Sequence, residues 1–373
     1  KRRRMKILYY FKDQDTPMYQ WQRFHIFEDL SKHGCEITVL NPLKYSTVDN
    51  ANSALIKHLA SVHYDLFMTP HNENDLYIET LQNIRKKSIP TLLICFDNLT
   101  TPHFHKKICK YFDLVWLTSK ETKYLFDKWG ANSKFLPYAA NPNLYIPQNN
   151  ADILKVLFIG TPYGSRTKMI NILLNNNIPV SLYANIVGPA NNQNNKNHTN
   201  YKDLINSGLN MLHYPIGRKL LYASIKNKVF KQSVLNLKSE CLETHPAIPL
   251  QLMMETYSQY AIALSSVANR HTGVLKHPVN IVNLRSFEIP AAAGLQFCSY
   301  NSELAEYFES GKEAVYYTNE QDMLEKARFY LSSQQTSLRQ KMKLAARRRA
   351  ENEHTWFCRF QKVFDNLGLK YDK

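Results

Sequence analysis

The sequence predicts an α/β protein built from two successive Rossmann-like domains, and three observations predict it. Short apolar or β-branched runs alternate with segments of helical spacing along most of the chain. The alternation pauses once, at Ala139–Asp152, and then restarts. The chain's 373 residues also exceed the roughly 250–300 at which one core stops growing, so two cores of ordinary size are expected.

In the first half, Met5–Phe11, Glu36–Leu40, Tyr64–Thr69, Thr91–Phe96 and Leu114–Thr118 read as strands, with helical spacing between them in segments such as Gln20–His33 and Leu76–Lys87. Such alternation makes βαβ units and hence a parallel sheet. Ala139–Asp152 is rich in Asn and Pro, has no period and reads as a linker. Beyond it, Lys155–Ile159 is a strand and Arg166–Leu174 a helix; Val180–Tyr183, Ala261–Ser265, Leu295–Ser299 and Ala314–Thr318 are further strands. The Asn-rich stretch Asn185–Asn210 holds too few apolar side chains to order itself and is expected as a surface loop. Arg218–Ser239 carries six basic residues and no acid, with Leu221, Ile225 and Val229 at helical spacing. That segment reads either as an amphipathic helix lying on anionic lipid or as a helix packed on its own domain with a solvated charged face.

Composition excludes several classes. No apolar run approaches the roughly 18–20 residues that span a bilayer. Lys1–Arg4 lead only into Met5–Phe11 and then polar residues, which is not a signal peptide, so a cytoplasmic protein is expected. Met5 is read as the natural start, and Lys1–Arg4 are set aside. The six cysteines, Cys35, Cys95, Cys109, Cys241, Cys298 and Cys358, are scattered without a C-x-x-C pair and read as free thiols rather than a zinc or redox site. A formal charge of +16 attracts phosphates, nucleic acid or an anionic membrane surface without choosing among them.

The most informative stretch is Val279–Ser299, where a polar loop enters a helix that ends at Gly294 and feeds a strand. Arg285 and Glu288 are three residues apart and share a helix face. Asn283 stands at the first turn, where unpaired N–H groups favour an anion. An Arg fork suits a diphosphate and a carboxylate suits the two hydroxyls of a ribose; a plain surface Arg–Glu pair is the alternative. Gly160–Arg166 reads as a strand–turn–helix cradle for phosphate, with Gly160, Thr161 and Arg166 as its binding residues. It lacks the Lys-Ser/Thr pair of a P-loop.

The segment N-x-R-x-F-E-I-P-A, followed by Asn301–Glu309 and Gly311–Tyr317, resembles the C-terminal domain of the group-1-like glycosyltransferases related to the spore-maturation protein CgeB. Leu136–Tyr145 is similar to that family's inter-domain segment, Phe158–Arg166 to its first C-domain strand and turn, and His354–Arg359 to its terminal H-T-x-x-x-R. The resemblance extends over about residues 135–365. It implies the GT-B architecture: two Rossmann-like domains facing across a cleft, residues 1–145 binding the acceptor and 153–340 the sugar nucleotide, with 341–373 a helical segment returning to the N-terminal domain. It implies that Glu288 binds the donor ribose and that the Gly160 loop faces the diphosphate. The family's second Glu, eight positions before the first, is Asn280 here, so the contact to the sugar departs from the pattern. His354 and Arg359 are read as structural.

In the first half, acceptor-binding groups belong at the C-terminal ends of the strands. Asp15, His71 and Asp97–Asn98 stand there, and a general base for the acceptor hydroxyl is sought among them. Asp97 is favoured, with His71 second; strand-end capping is the alternative for both. Asp13 and Asp15 imitate a D-x-D metal motif but stand where a helix cap is expected. His103 and His105 lack further ligand-spaced neighbours. No metal or cofactor is therefore expected. The function expected is transfer of a sugar from a nucleotide donor to a glycan or lipid-linked acceptor in bacterial surface polysaccharide synthesis, with the basic segment 218–239 at the inner membrane face. The alternatives are an epimerase-like or non-catalytic sugar-nucleotide protein on the same scaffold, and a nucleic-acid-binding protein. The last lacks any basic-aromatic cluster or known motif.

Overall fold

Two sheets of six parallel strands form in a computed structural model that describes residues 4–148, 151–185, 201–229 and 233–371. The chain divides into two compact units, Lys1–Asn141 with His354–Lys373, and Pro142–Glu353.

The first unit holds β1 (Met5–Tyr10), β2 (Cys35–Leu40), β3 (Leu66–Thr69), β4 (Thr91–Cys95), β5 (Leu114–Leu117) and β6 (Ser133–Phe135) in the order β2-β1-β3-β4-β5-β6. The strands β1, β3, β4 and β5 are almost wholly buried, which is why they read as continuous apolar runs rather than as alternating ones. The helix expected over Gln20–His33 is present but interrupted by a π-helical turn at Arg23–Phe27. The last helix, Trp356–Asn366, completes this unit. Thr355 caps it by accepting the Cys358 N–H at 3.1 Å, and Trp356, Phe360, Val363 and Phe364 are fully buried. Trp116 of β5 packs edge-on to Phe360 at 5.3 Å. Arg359 donates to the carbonyls of Pro137 (3.1 Å) and Tyr138 (3.2 Å) and bonds His354 at 2.9 Å. Within this unit, then, the His354–Arg359 motif ties the last helix to the extended segment that follows β6.

The second unit holds β7 (Ile153–Ile159), β8 (Val180–Tyr183), β9 (Leu242–His245), β10 (Tyr260–Leu264), β11 (Gln296–Ser299) and β12 (Ala314–Tyr317). Their order is β12-β11-β10-β7-β8-β9, the Rossmann arrangement, with its topological switch point between β7 and β10. The helix Thr336–Glu353 belongs here, so a division at 341 falls inside it. The cause is Asp152, whose buried carboxylate binds Arg339 at 2.7 Å and Lys343 at 2.6 Å. Lys343 also donates to the carbonyls of Ser258 (3.0 Å) and Tyr260 (2.7 Å).

Two expectations are corrected. The Asn-rich loop ends earlier than Asn210, because Tyr201–Leu212 is a helix; 186–200 lie outside the described residues. The basic helix runs from Pro215 to Val229 rather than over Arg218–Ser239. Residues 233–237 that follow it are neither helix nor strand, and the Val234 carbonyl and Asn236 N–H are bound by the Asn171 side chain instead. None of the six cysteines forms a disulfide. No described helix is long and apolar enough to cross a membrane.

Candidate functional site

The switch point of the second sheet is where an open parallel sheet binds ligands, and the residues singled out from sequence in this half converge on it. Gly160 ends β7 at φ +122°, a backbone conformation that side chains disfavour. Its N–H stays in the sheet, donating to the Tyr183 carbonyl at 2.8 Å. The space that a Cβ would fill lies 2.7 Å from Nη2 of Arg285. The guanidinium is thus laid directly over the glycine. The chain turns at Gly164, φ +56°, into the helix Ser165–Asn175. Arg166, on its first turn, sits over the Tyr163 ring at 4.6 Å and reaches the Thr161 carbonyl at a weak 3.4 Å.

After β10, Ser265–Asn269 cross the same end of the sheet and pair with Val279–Ile281. The Asn269 N–H donates to the Val279 carbonyl and the Ile281 N–H to the Val267 carbonyl, both at 2.7 Å, setting Asn280 opposite Ala268 in a short antiparallel bridge. Asn280 itself is exposed. Asn283 donates to the Ser266 carbonyl at 3.3 Å, while its Oδ1, like that of Asn269, is buried without a hydrogen-bond partner. An orphaned buried acceptor costs about 1–3 kcal/mol, and two of them at one switch point suit a ligand that brings donors.

The helix carrying Arg285 and Glu288 is only seven residues, Arg285–Ala291; it contains Pro290 and ends where Ala293 turns left-handed, φ +55°, so that the Gly294 N–H closes back on the Ile289 carbonyl at 2.8 Å. Its end is held close: a Cβ on Gly294 would be 3.0 Å from the Tyr257 carbonyl. Arg347 donates to the Pro142 carbonyl at 2.8 Å, to that of Tyr145 at 2.9 Å, and to that of Ala291. Glu288 is 3% exposed, so its carboxylate sits on the inward side of this short helix.

Tyr257, from the helix Leu250–Gln259, carries no motif and was not singled out from sequence. Its buried hydroxyl lies beside the Arg285 guanidinium without a well-formed hydrogen bond to it. Burial holds that hydroxyl protonated far above the ordinary tyrosine range; Arg285 and Arg166 lower its pKa against burial, and Glu288 adds to the rise. One hydroxyl therefore feels Arg166, Arg285 and Glu288 together, which places the three predicted charges in one neighbourhood.

In the first unit, His71 and Asp97 follow adjacent strands, β3 and β4. Both ring nitrogens of His71 are engaged: Nε2 accepts the Lys12 N–H at 3.0 Å, and Nδ1 faces Asp75 at 3.3 Å. That leaves no lone pair for a substrate proton. Asp97 is exposed; its carbonyl accepts the Thr100 and Thr101 N–H groups, and its charge raises the pKa of Tyr138, second to burial. The neighbouring Asn98 is buried and structural, binding Ser119 and Thr122 through Nδ2 (2.7 and 2.8 Å) and accepting the Thr118 N–H at 2.9 Å. Asp13 pairs with Arg23, and Asp15 with Gln20 rather than with a helix end. Among the described residues no three His, Cys, Asp or Glu side chains form a metal-binding group.

Residues 237–365 match the model of a family described as glycosyl transferase-like. No curated protein matches the sequence. Solved structures match over nearly the whole chain. A glycosyltransferase from Rickettsia africae superposes with TM-score 0.60 at 11% identity, covering 98% of each chain. Sucrose-phosphate synthase from Thermosynechococcus elongatus gives 0.56 at 12% identity, covering 98% of this chain and 99% of that one. Anabaena HepE, in complex with UDP and glucose, gives 0.54 at 12% identity with the same coverage. At that identity the likeness is one of fold, and the fold is that of the GT-B glycosyltransferases, as the resemblance implied.

Proposed function

We propose that this protein is a glycosyltransferase that moves a sugar from a nucleoside-diphosphate donor to a glycan or lipid-linked acceptor in bacterial surface polysaccharide synthesis. The observation that carries the reading is the Arg285 guanidinium lying over Gly160 at the β7/β10 switch point, inside a GT-B fold whose segment 237–365 is glycosyl transferase-like. HepE shares that fold in complex with UDP and glucose, which favours a UDP-sugar as donor.

In this reading Arg285 and Arg166 neutralise the diphosphate as it leaves, work that guanidinium groups do without a metal. Glu288 accepts the ribose hydroxyls; a desolvated carboxylate makes those bonds stronger than an exposed one would. In this reading Asn283 belongs to the diphosphate end of the donor and Asn280 to the sugar end. The bond from the sugar anomeric carbon to the diphosphate oxygen breaks, and the diphosphate keeps the electron pair. A bond to the acceptor oxygen forms, and the acceptor proton passes to a carboxylate base, for which Asp97 is the candidate. The basic helix Pro215–Val229 holds the enzyme at an anionic membrane surface.

The test is transfer and hydrolysis measured over a panel of sugar nucleotides, alongside thermal stabilisation by UDP. Turnover of at least one donor, with nucleotide stabilisation lost in Glu288→Ala, is expected. Full retention of nucleotide affinity by that variant would refute the site. Nucleotide binding without turnover of any donor would favour the non-catalytic alternative.

A further inference from the structure

We infer that the two-helix element Tyr201–Leu212 and Pro215–Val229 docks on an anionic lipid bilayer through an outward apolar stripe. The helix Pro215–Val229 is apolar on two sides. Its inner side, with Ala223 and Asn227 buried, packs along the short helical turn Arg270–Val274 and against Tyr201–Leu212. On the outer side Tyr222, Ile225 and Val229 recur at helical spacing and are 58%, 63% and 74% exposed, forming one stripe. Leu209 and Leu212, on the preceding helix, are about half exposed as well.

Several exposed large apolar side chains on one small element mark a contact surface, and the surrounding charge identifies what it contacts. At about 100° per residue, Lys219 and Lys226 flank the stripe on one side and Lys228 on the other. Residues 204–239 contain no Asp or Glu. An apolar stripe bordered by lysines is the pattern of a helix in the plane of a bilayer interface. Each lysine near an anionic surface adds to the attraction, and salt screens it. A second copy of the chain fits poorly, since a two-fold contact sets the same basic surface against itself. A nucleic acid would leave the stripe without a partner.

The element is also joined to the candidate site within the same unit. A Cβ on Gly273, in the turn beneath the helix, would stand 2.5 Å from the Cβ of Ser165, the first residue of the helix that follows the Gly160 loop. Lipid contact and nucleotide loop thus share one support, and of the two acceptor classes proposed above a surface-docked enzyme suits the lipid-linked one. That specification rests on the transferase reading; the docking rests on the surface alone.

Co-sedimentation of the full chain with phosphatidylcholine vesicles, with and without phosphatidylglycerol, tests it. Binding only to the anionic vesicles, weakened by salt, is expected. Ile225→Asp/Val229→Asp should lower it more than tenfold, and Lys219→Glu/Lys228→Glu should remove its dependence on anionic lipid. Unchanged thermal stabilisation by UDP in both variants shows that the fold and the donor site are intact. No binding of the wild type, or equal binding of the aspartate variant, overturns the inference. So does sedimentation velocity showing a dimer that the aspartate variant breaks. Vesicle binding without turnover of any donor would remove the transferase reading and leave the docking in place.

Discussion

A methyl group at position 160 would stand 2.7 Å from Nη2 of Arg285, well inside contact distance, on a backbone already at φ +122°. Gly160→Ala should therefore cost about 1–3 kcal/mol of stability and displace the guanidinium, so that UDP no longer raises the melting temperature. Arg285→Lys keeps the charge and loses the planar fork; calorimetry should show UDP binding roughly tenfold weaker, about 1.4 kcal/mol. Asp97→Asn should lower kcat on the order of 100-fold with nucleotide binding unchanged, whereas His71→Asn should change stability and leave kcat within a few-fold. Equal losses of kcat in these two variants would contradict the assignment of the base. Gly160, Arg285 and Glu288 were legible in the sequence because their chemistry and their position beside a strand end are both local. Tyr257 was not, since nothing in its own helix signals that Gly294 lets the Arg285 helix pack against it. Nor was the engagement of His71, which depends on a backbone N–H 59 residues away.

At the level of elements, the buried strands announced themselves by apolar runs, and β6 and β9 did not, being short and only partly buried. The helix Tyr201–Leu212 was hidden by the Asn-rich composition before it; it packs on the helix that follows, which composition does not report. Asp29 shows how tightly one element can depend on one oxygen. Its buried carboxylate accepts the Phe357 N–H at 2.7 Å, at the start of the last helix, while His33 stacks on the Phe357 ring at 3.9 Å. Burial raises the Asp29 pKa above the ordinary 3.8, against the lowering effects of the Phe357 N–H and of His33, Lys32 and His25. Between the unfolded value and the raised one the native state binds more protons than the unfolded state, so this group's contribution to stability declines as pH rises through that window. Asp29→Asn keeps an acceptor for Phe357 and removes the buried charge; chemical denaturation should show it no less stable than wild type at pH 7 and without that slope. Asp29→Ala orphans the N–H and should cost about 1–3 kcal/mol. In the second unit, Asp152→Ala strands Arg339 and Lys343 in the interior and should cost about 3–5 kcal/mol.

The whole molecule folds from a chain whose first unit is finished by its last residues. Trp356, Phe360, Val363 and Phe364 lie in the core of a unit that otherwise ends at Asn141, and more than two hundred residues of the second unit intervene. Full burial of an apolar side chain of this size is worth about 1.5–3 kcal/mol. Four of them together therefore rival the 5–15 kcal/mol that holds a typical domain folded. The second unit has no such dependence: Asp152, Arg339 and Lys343 all lie inside Pro142–Glu353, so its closing ion cluster is complete without the tail. A chain truncated after Glu353 should consequently lose the first unit alone. Calorimetry should show one cooperative transition in place of the contributions of two, and the tryptophan emission of Trp21, Trp116 and Trp129 should shift to that of solvent-exposed indole. UDP should still raise the melting temperature of the remaining transition, because Gly160, Arg285 and Glu288 belong to the unit that survives. If the truncated chain instead kept both transitions, the last helix would be an accessory to the first core and not a part of it. If it lost both, the two units would form a single cooperative structure.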